Sequence, residues 1–243
     1  MIDADRPVPS DARGNGESAD EPVLLFDVDN TLLDNDRVQH DLRARIEGEL
    51  GPRARDRYWA ILEGLREALG YVDYLGAFQR FRIEQPVDPR VLALASWLLD
   101  YPFRDRLFPD ALAVLRHAGR TARVVILSDG DAVLQPRKVI RSGLWEAAEG
   151  RVLIFVHKEE MLAEVERLFP ARHYVLIDDK LRILSAVKAI WGERVTTVFA
   201  RQGHYARDPK TTARYPAADA SIHRIGDLLA WHPTAFGRPR PGS

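Results

Sequence analysis

The chain has 243 residues, which is enough for one sizeable domain or for a core domain that carries a smaller insertion. Its formal net charge of −1 gives no support to a general binder of nucleic acids or membrane surfaces, and its lack of cysteine excludes disulfides, thiolate catalysis and cysteine-bound metal centres. No apolar stretch is long enough to span a bilayer, and the N-terminus lacks the apolar core of a signal peptide. These properties favour a soluble, cytoplasmic protein.

The two ends of the chain lack any apolar periodicity. Residues 1–21 are rich in Asp, Pro, Gly and Ser and are predicted to form a disordered leader. Residues 234–243 contain several glycines and prolines and are predicted to form a flexible tail. Between them, the first predicted strand is an apolar run that starts at Val23, as is typical of a strand buried on both faces.

Residues 34–107 show no strand pattern and are predicted to form an α-helical insertion, which we call the helical cap. Amphipathic stretches separated by Gly and Pro predict helices at residues 40–50, 55–69, 71–82 and 89–99. Aromatic residues in this segment could line a substrate pocket, but packing inside a small domain is their more ordinary role. These aromatic residues are Tyr58, Trp59, Tyr71, Tyr74, Phe78, Phe81 and Trp97.

After residue 108, apolar runs alternate with helical patterns. A helix is predicted at residues 110–117, and strands at residues 123–127, 152–156, 174–177 and 195–199. This alternation implies right-handed βαβ crossovers and a parallel sheet with helices on both faces. We therefore predict an α/β protein in which residues 22–33 and 108–233 form a three-layer, Rossmann-like core.

Polar residues follow four of the predicted strands. Because parallel strands end at the same edge of a sheet, we expect these residues to meet there. Paired carboxylates suit Mg²⁺, a small hydroxyl with free backbone N–H groups suits phosphate oxygens, and a lysine supplies a compensating charge. The residues are Asp27 and Asp29, then Ser128, Asp129 and Gly130, then Lys158, and finally Asp178 and Asp179.

Several of these residues also have ordinary structural explanations. Ser128 could simply cap a helix, as could one of the first two acids. Lys158 could be a solvated loop lysine, in which case Lys138 or Lys180 would be the functional cation. Of the second acid pair, Asp178 ranks first as a metal ligand because it leaves its strand directly.

Two other groups of charged residues carry weaker signals. The histidines lack the spacing of metal ligands and are interpreted as incidental; they are His157, His173 and His204. Arginines of the helical cap could recognise a second anionic group, although arginines on exposed helix faces are usually solvated. They are Arg43, Arg45, Arg53, Arg55, Arg57 and Arg66.

In order and spacing, four segments resemble the four motifs of the haloacid dehalogenase-like (HAD) hydrolase superfamily. They are Asp27-Val28-Asp29-Asn30-Thr31, Ser128-Asp129-Gly130, Lys158 and Asp178-Asp179. The resemblance extends over residues 23–201, and the helical cap is similar in position to that family's C1-type cap. It implies a Mg²⁺-dependent phosphatase that acts on a small phosphomonoester, with neither nucleic acid nor membrane as a partner. Nothing in the motifs identifies the substrate or the oligomeric state.

The resemblance also implies a role for each motif residue. Asp27 would attack phosphorus to form an aspartyl-phosphate, and Asp29 would protonate the leaving oxygen and then activate water. The hydroxyl of Ser128 and the neighbouring backbone, at Asp129 and Gly130, would hold the phosphoryl group, while Lys158 would neutralise it and restrain Asp27. The metal ligands would be Asp27, the backbone carbonyl of Asp29, and Asp178 or Asp179.

The second acid of the first motif distinguishes branches of the family. Haloacid dehalogenases lack an acid two residues after the nucleophile and need no magnesium, so Asp29 favours phosphoryl transfer. Two positions depart from the pattern of many relatives: Glu159 replaces a proline, and Lys180 and Arg182 stand where a further acid is common. The competing hypotheses are a signalling module phosphorylated on aspartate, like a response-regulator receiver, and a catalytically degenerate binding protein of the same fold.

Overall fold

The computed structural model describes residues 21–231. The predicted tail, and all of the predicted leader except residue 21, lie outside these residues. Within them the strands form one six-stranded sheet in the order β3-β2-β1-β4-β5-β6, and every neighbouring pair is parallel. The strands are β1 (Val23–Phe26), β2 (Arg123–Asp129), β3 (Val152–Phe155), β4 (Tyr174–Asp178), β5 (Val195–Ala200) and β6 (Ala220–Ile222). The predicted α/β parallel sheet is therefore confirmed, while the short strand β6 is additional.

Strand β1 lies in the middle of the sheet and is buried on both faces. Leu24 and Phe26 pack into one apolar cluster, and Val23 and Leu25 pack into a second cluster on the opposite face. Burial of a side chain of this size contributes about 1.5–3 kcal/mol. The backbone that leads into Asp27 is consequently held in place by apolar packing above and below it.

The helical cap consists of α1 (Asn35–Leu50), α2 (Pro52–Leu69), α3 (Tyr74–Glu84) and α4 (Arg90–Leu99). Helix α1 begins earlier than predicted because the Asp34 carboxylate accepts a hydrogen bond from the backbone N–H of Arg37. Helix α3 begins later than predicted, after Asp73, whose carboxylate accepts a hydrogen bond from Gly76 N–H. Local capping groups thus set boundaries that apolar periodicity alone placed only approximately.

The cap packs around an aromatic centre. Tyr58, Phe78 and Phe81 are buried, and the rings of Tyr58 and Phe78 lie 4.5 Å apart between centroids. The Tyr58 hydroxyl donates to the backbone carbonyl of Tyr74 at 2.9 Å. For these residues, the predicted packing role is confirmed.

The two connections between cap and core run side by side. Leu33 pairs with Leu107 in an isolated antiparallel bridge, and Asp34 N–H donates to the Arg106 carbonyl at 2.7 Å. Next to this bridge, the Asp41 carboxylate accepts hydrogen bonds from the Tyr101 hydroxyl at 2.5 Å and from Arg106 at 2.8 Å. The two segments that connect the cap to the core are thus hydrogen-bonded to each other just after the end of β1.

The remaining helices cover both faces of the sheet. They are α5 (Ala111–Ala118), α6 (Leu134–Ser142), α7 (Leu144–Ala147), α8 (Leu162–Leu168), α9 (Leu181–Trp191), α10 (Gly203–Arg207) and α11 (Pro209–Thr212). Helices α5 to α7 pack into the cluster that contains Phe26, whereas α8 and α9 pack into the cluster that contains Leu25. Over the described part of the chain, no helix combines the length and the apolar character needed to cross a membrane.

Candidate active site

Two carboxylate groups contact one ammonium group at the carboxyl edge of the sheet. The carboxylates lie where β1 and β4 end, and the ammonium lies in the segment after β3. Lys158 Nζ lies 2.5 Å from Asp27 Oδ1 and 2.6 Å from Asp178 Oδ2. All three side chains are between 0% and 3% exposed. Of the three candidate lysines in the sequence, Lys158 is therefore the one that contacts Asp27.

The same cluster contains carboxylate oxygens that have no protein partner. Among the described residues, Asp27 Oδ2 and both carboxylate oxygens of Asp179 are buried without a hydrogen bond, and Asp178 Oδ2 has only its ion pair with Lys158. One ligand atom from each of the three aspartates lies within 4.8 Å of the others. Unpaired buried carboxylates are costly, and several oxygens around one point form the donor set of a hard divalent cation. The residues present therefore fit the predicted metal site.

The charge balance of this cluster points the same way. Burial raises the pKa of Asp179 well above its usual range, and burial raises the pKa of Asp178 to about 6 despite the lowering effect of Lys158. Burial acts to lower the pKa of Lys158, but the charges of Asp178 and Asp27 outweigh it and raise that pKa above its ordinary value. Lys158 consequently remains an ammonium, while burial outweighs the nearby lysine charges at Asp178 and Asp179.

The exit of β2 differs from the prediction. Strand β2 runs on to Asp129, which pairs with Phe155, and Gly130 N–H continues the ladder by donating to the Phe155 carbonyl at 2.9 Å. The prediction of a free N–H at Gly130 is wrong for this reason. The Asp129 carboxylate accepts a hydrogen bond from Lys158 N–H at 2.7 Å, so it fixes the segment that carries Lys158. Burial raises the pKa of Asp129.

Ser128 is buried at the end of β2, and its hydroxyl has a protein partner. Gln135 Nε2 donates to Ser128 Oγ at 2.9 Å. Gly130 is required beside this pair, because a Cβ at that position would lie 2.5 Å from Gln135 Cβ. The Ser128 hydroxyl therefore lies beneath a glutamine that lines the cavity described below.

Asp29 lies at the edge of this cluster and has its own lysine. Lys138 Nζ, on α6, lies 2.7 Å and 2.9 Å from the two carboxylate oxygens of Asp29 and 3.2 Å from Asn35 Oδ1. The Lys138 side chain is 2% exposed and that of Asp29 is 24% exposed. The lysine considered above only as an alternative to Lys158 thus pairs with the second acid of the first motif.

The turn after Asp29 is held by the loop that follows β5. Asn30 adopts a positive φ of 64°, and its side-chain amide donates to Asp36 Oδ1 at 2.9 Å. His204 Nδ1 lies 2.5 Å from the same oxygen, and Gly203 packs so closely that a Cβ there would lie 2.4 Å from Asn30 Cβ. Burial acts to raise the pKa of Asp36, but the hydrogen bonds from His204 and Asn30 outweigh it and lower that pKa.

A cavity of about 550 Å³ lies between the sheet edge and the helical cap. Asp29, Asp129, Gly130 and Asp179 line its floor, and Lys138 and Lys180 also border it. The cap contributes side chains from the end of α2 and the start of α3. The tyrosines in its wall are Tyr71, Tyr74, Tyr205 and Tyr215, of which the first two come from the cap.

The two departures from the family pattern contact each other. Glu159 and Arg182 form an ion pair at the rim of the cavity. Glu159, which replaces the proline of many relatives, therefore lies beside Arg182, which is near the position of their further acid. Each substitution supplies the charge partner of the other.

The weaker sequence signals divide into cavity residues and surface residues. His157 and His204 line the cavity, whereas His173 bonds Thr196 Oγ1 away from it, and among the described residues no histidine belongs to the acidic cluster. Of the six cap arginines named in the sequence analysis, Arg66 alone lines the cavity. The aromatic residues of the cap also fall into two groups: Tyr71 and Tyr74 border the cavity, whereas Tyr58 packs inside the cap.

Sequence reasoning did not identify Gln135 or Asn35, and it gave Lys138 no contact with Asp29. Gln135 and Lys138 are spaced i, i+3 at the start of the helix that follows β2, so they share a helix face beside the strand exits. That spacing is the signal that could have identified them. Asn35 carries no such signal, because a residue of its type at the start of a helix ordinarily indicates capping.

Neither protein-family models nor curated proteins gave a match. Among solved structures, a haloacid dehalogenase-like hydrolase from Burkholderia xenovorans LB400 is 59% identical, with a TM-score of 0.84 over 88% of this chain and 99% of that chain.

More distant structures share the fold. A HAD-type hydrolase from Bacillus subtilis, described as bound to magnesium, is 17% identical, with a TM-score of 0.58 over 87% of this chain and 98% of that one. The L-2-haloacid dehalogenase from Xanthobacter autotrophicus is 18% identical, with a TM-score of 0.59 over 88% of this chain and 98% of that one. At these identities, the similarity concerns the fold alone.

Proposed function

This chain belongs to the haloacid dehalogenase-like hydrolase family, and from that premise we propose that it is a Mg²⁺-dependent phosphatase of a small phosphomonoester. The observation that carries the proposal is the second carboxylate of the first motif. Asp29 borders the cavity two residues after the buried Asp27, where a general acid can reach the leaving oxygen of a bound ester. Dehalogenation needs no such acid, so its presence favours phosphoryl transfer.

The proposed reaction has two displacements. Asp27 Oδ2, which has no hydrogen bond among the described residues, attacks phosphorus while the bond from phosphorus to the leaving oxygen breaks. Asp29 gives its proton to that oxygen, and the product alcohol leaves. Asp29 then takes a proton from water as the water oxygen attacks phosphorus, and the bond to Asp27 breaks to release inorganic phosphate. Asp29 thereby regains the proton that it gave up.

The other groups of the cluster restrain and neutralise. Lys158 fixes Asp27 Oδ1 and leaves Oδ2 free, and its ammonium offsets the negative charge of an arriving phosphoryl group. Ser128, whose hydroxyl accepts from Gln135, is proposed to contact the phosphoryl oxygens after that glutamine moves aside. Asp129 is proposed to act through its bond to Lys158 N–H and not through phosphate.

The metal site is proposed at the side chains of Asp27, Asp178 and Asp179, together with the backbone carbonyl of Asp29. When bound, Mg²⁺ supplies positive charge to the transferring phosphoryl group and to these acids. The two unpaired carboxylate oxygens of Asp179 support this assignment. Because the Asp179 carboxylate borders the cavity and has no hydrogen bond among the described residues, it is at least as good a candidate for the direct ligand as Asp178.

The test is hydrolysis of 4-nitrophenyl phosphate with Mg²⁺ and with a chelator, comparing the unaltered chain with Asp27→Asn. We expect turnover that requires Mg²⁺ and that the substitution lowers by at least about 10⁴-fold, as removal of a covalent nucleophile does elsewhere. Release of chloride from 2-chloropropionate without added metal would contradict the proposal in favour of a dehalogenase. A stable phosphoprotein that forms without turnover would favour the signalling hypothesis instead.

A further inference from the structure

The cavity is bordered by a buried lysine, Lys138, for which the proposed reaction has no role. Lys138 approaches both oxygens of Asp29, at 2.7 Å and 2.9 Å, and its third close partner is Asn35 Oδ1 at 3.2 Å. Its side chain is 2% exposed although it borders the cavity. Burying an ammonium costs several kcal/mol unless it is paired and hydrogen-bonded, so this contact is fixed and not a chance surface pair.

The position of Lys138 is set by the core. The turn that leads into α6 is fixed by Asp131, whose carboxylate accepts hydrogen bonds from the N–H groups of Val133 and Leu134. The next residue along the chain from Lys138, Val139, is fully buried in the apolar cluster. The ammonium group is therefore carried on a packed helix, which holds it at one place beside the cavity.

Two like charges face the same space at the exit of β1. Lys158 pairs with Asp27 Oδ1 and Lys138 pairs with Asp29, so each acid has a separate cation. An aspartate side chain without such a partner can turn about its side-chain bonds and move away from a neighbouring carboxylate. Lys138, which also donates to Asn35 Oδ1, removes this rotational freedom from the Asp29 side chain.

We propose that Lys138 is a positioning residue, which holds the Asp29 carboxyl group where it can pass a proton to the leaving oxygen of the phosphomonoester. This inference rests on the proposed function, since it assigns a partner to the general acid of that reaction. In the structure Lys138 lies against both oxygens of Asp29, so in the first step one of these oxygens carries the proton and Lys138 donates to the other. Lys138 keeps its own protons throughout. The proton that moves is the one on Asp29, which the attacking water later restores.

If Lys138 restrains the general acid, the effect of its loss should depend on the leaving group of the substrate, which a purely structural role would not predict. A leaving group that is a stable anion departs with little need of a proton, whereas an alkoxide departs only as it is protonated. Loss of Lys138 should therefore slow esters of weakly acidic alcohols far more than esters of acidic phenols.

The experiment compares Lys138→Met with the unaltered chain on 4-nitrophenyl phosphate and on 2-phenylethyl phosphate, both with Mg²⁺. Each substrate carries one phenyl ring, so binding in the cavity is comparable. We expect kcat for the phenylethyl ester to fall by about 10²-fold or more and kcat for the nitrophenyl ester by about threefold or less, with KM for both nearly unchanged. The matched control is Lys188→Met, which removes a lysine paired with Asp219 outside the cavity and should leave both substrates unaffected.

The outcomes are separable. Equal losses on both substrates, or no loss on either, would overturn the positioning role while leaving the phosphatase proposal intact. Absence of turnover of both esters by the unaltered chain would overturn the phosphatase proposal and this inference with it. If Lys138→Met does not fold, Asn35→Ala removes the weaker partner without changing the charge. It should then show the same preference for the nitrophenyl ester, by about a few-fold.

Discussion

The floor and the cap wall of the cavity are built in different ways. The floor comes from strand exits, and its ion pair between Lys158 and Asp27 is almost fully removed from solvent. The cap wall includes the starts of α1 and α3 as well as the end of α2. At the end of α2, Arg66 pairs with Glu63 and both side chains are roughly half exposed. The first pair is costly to break because of burial, whereas the second contributes little.

This contrast separates the proposed catalytic residues from the residues that could recognise the substrate. A sheet that is buried on both faces fixes its strand ends more firmly than a partly exposed helix end in the cap is fixed. In the proposed phosphatase, the groups that would meet the reacting phosphorus atom lie on the floor, and groups available to recognise different leaving groups, such as Tyr71, lie on the cap. The predictions below test this difference, from the largest expected effect to the smallest.

The largest effect is expected on the floor, from Lys158→Met. This change leaves the carboxylates of Asp27 and Asp178 buried without a cation, and we expect a loss of about 3–5 kcal/mol in the free energy of unfolding, together with loss of turnover. Urea denaturation measures the stability. Adding Asp178→Asn to Lys158→Met removes one uncompensated charge and should recover part of the stability but none of the activity. A double variant that is less stable than the single one would show that the buried charges are not the cause.

A smaller effect is expected where the cap touches the floor, at Gly70. This residue ends α2 with a φ of 80°, and a Cβ there would lie 2.6 Å from His157 Cε1. We expect Gly70→Ala to cost at least about 1–2 kcal/mol, since the left-handed conformation alone costs this much for other residues. Gly64→Ala, in the same helix, is the matched control. Its Cβ would meet no atom within 4 Å, and it should stabilise by about 0.5–1 kcal/mol.

Adding His157→Ala to Gly70→Ala separates strain from collision. The histidine ring is the atom group that the new Cβ would meet, so its removal should relieve the collision and leave the backbone strain. We expect thermal denaturation to show partial recovery in the double variant. Full recovery would indicate that the positive φ carries no cost at this position.

The smallest effect is expected at Asp36, whose titration should change how the free energy of unfolding depends on pH. The pKa of Asp36 lies below its usual value of 3.8 in the folded protein, because the hydrogen bonds from His204 and Asn30 outweigh the effect of burial. A lowered folded-state pKa gives stability that is present above pH 3.8 and is lost as the pH falls through the folded-state value. Asp36→Asn should therefore flatten the acid side of the stability curve. His204→Ala should produce part of the same change, and additive effects of the two substitutions would contradict a shared origin.

Much of the fold was predictable because burial leaves a direct pattern in sequence. A parallel strand covered on both faces must be apolar throughout, and the runs that contain Leu25, Val125 and Leu176 show this. Strand β6 shows no such run, since it is three residues long and lies at the edge of the sheet. The ends of helices were less predictable, because a capping side chain such as Asp34 determines them.

The candidate site was predictable to the extent that it depends on chain order. Asp27, Lys158, Asp178 and Asp179 follow strands that are parallel, so topology alone brings them together. The prediction for Gly130 failed because β2 extends beyond its apolar residues, and no local pattern shows where hydrogen bonding to β3 stops. The bond between Lys158 N–H and Asp129 has the same origin, in the pairing of neighbouring strands.

By itself, therefore, the sequence determined the parallel sheet, the helical insertion after the first strand and the identity of the acids at the sheet edge, because each follows from apolar runs and their order. Only the tertiary structure decided which lysine pairs with which aspartate. Lys138 and Lys158 are both buried cations near the same edge, and the difference between them lies in the packing of α6 and in the course of the chain after β3. Those positions depend on contacts between residues far apart in the chain, and such contacts leave no periodic signal in the sequence.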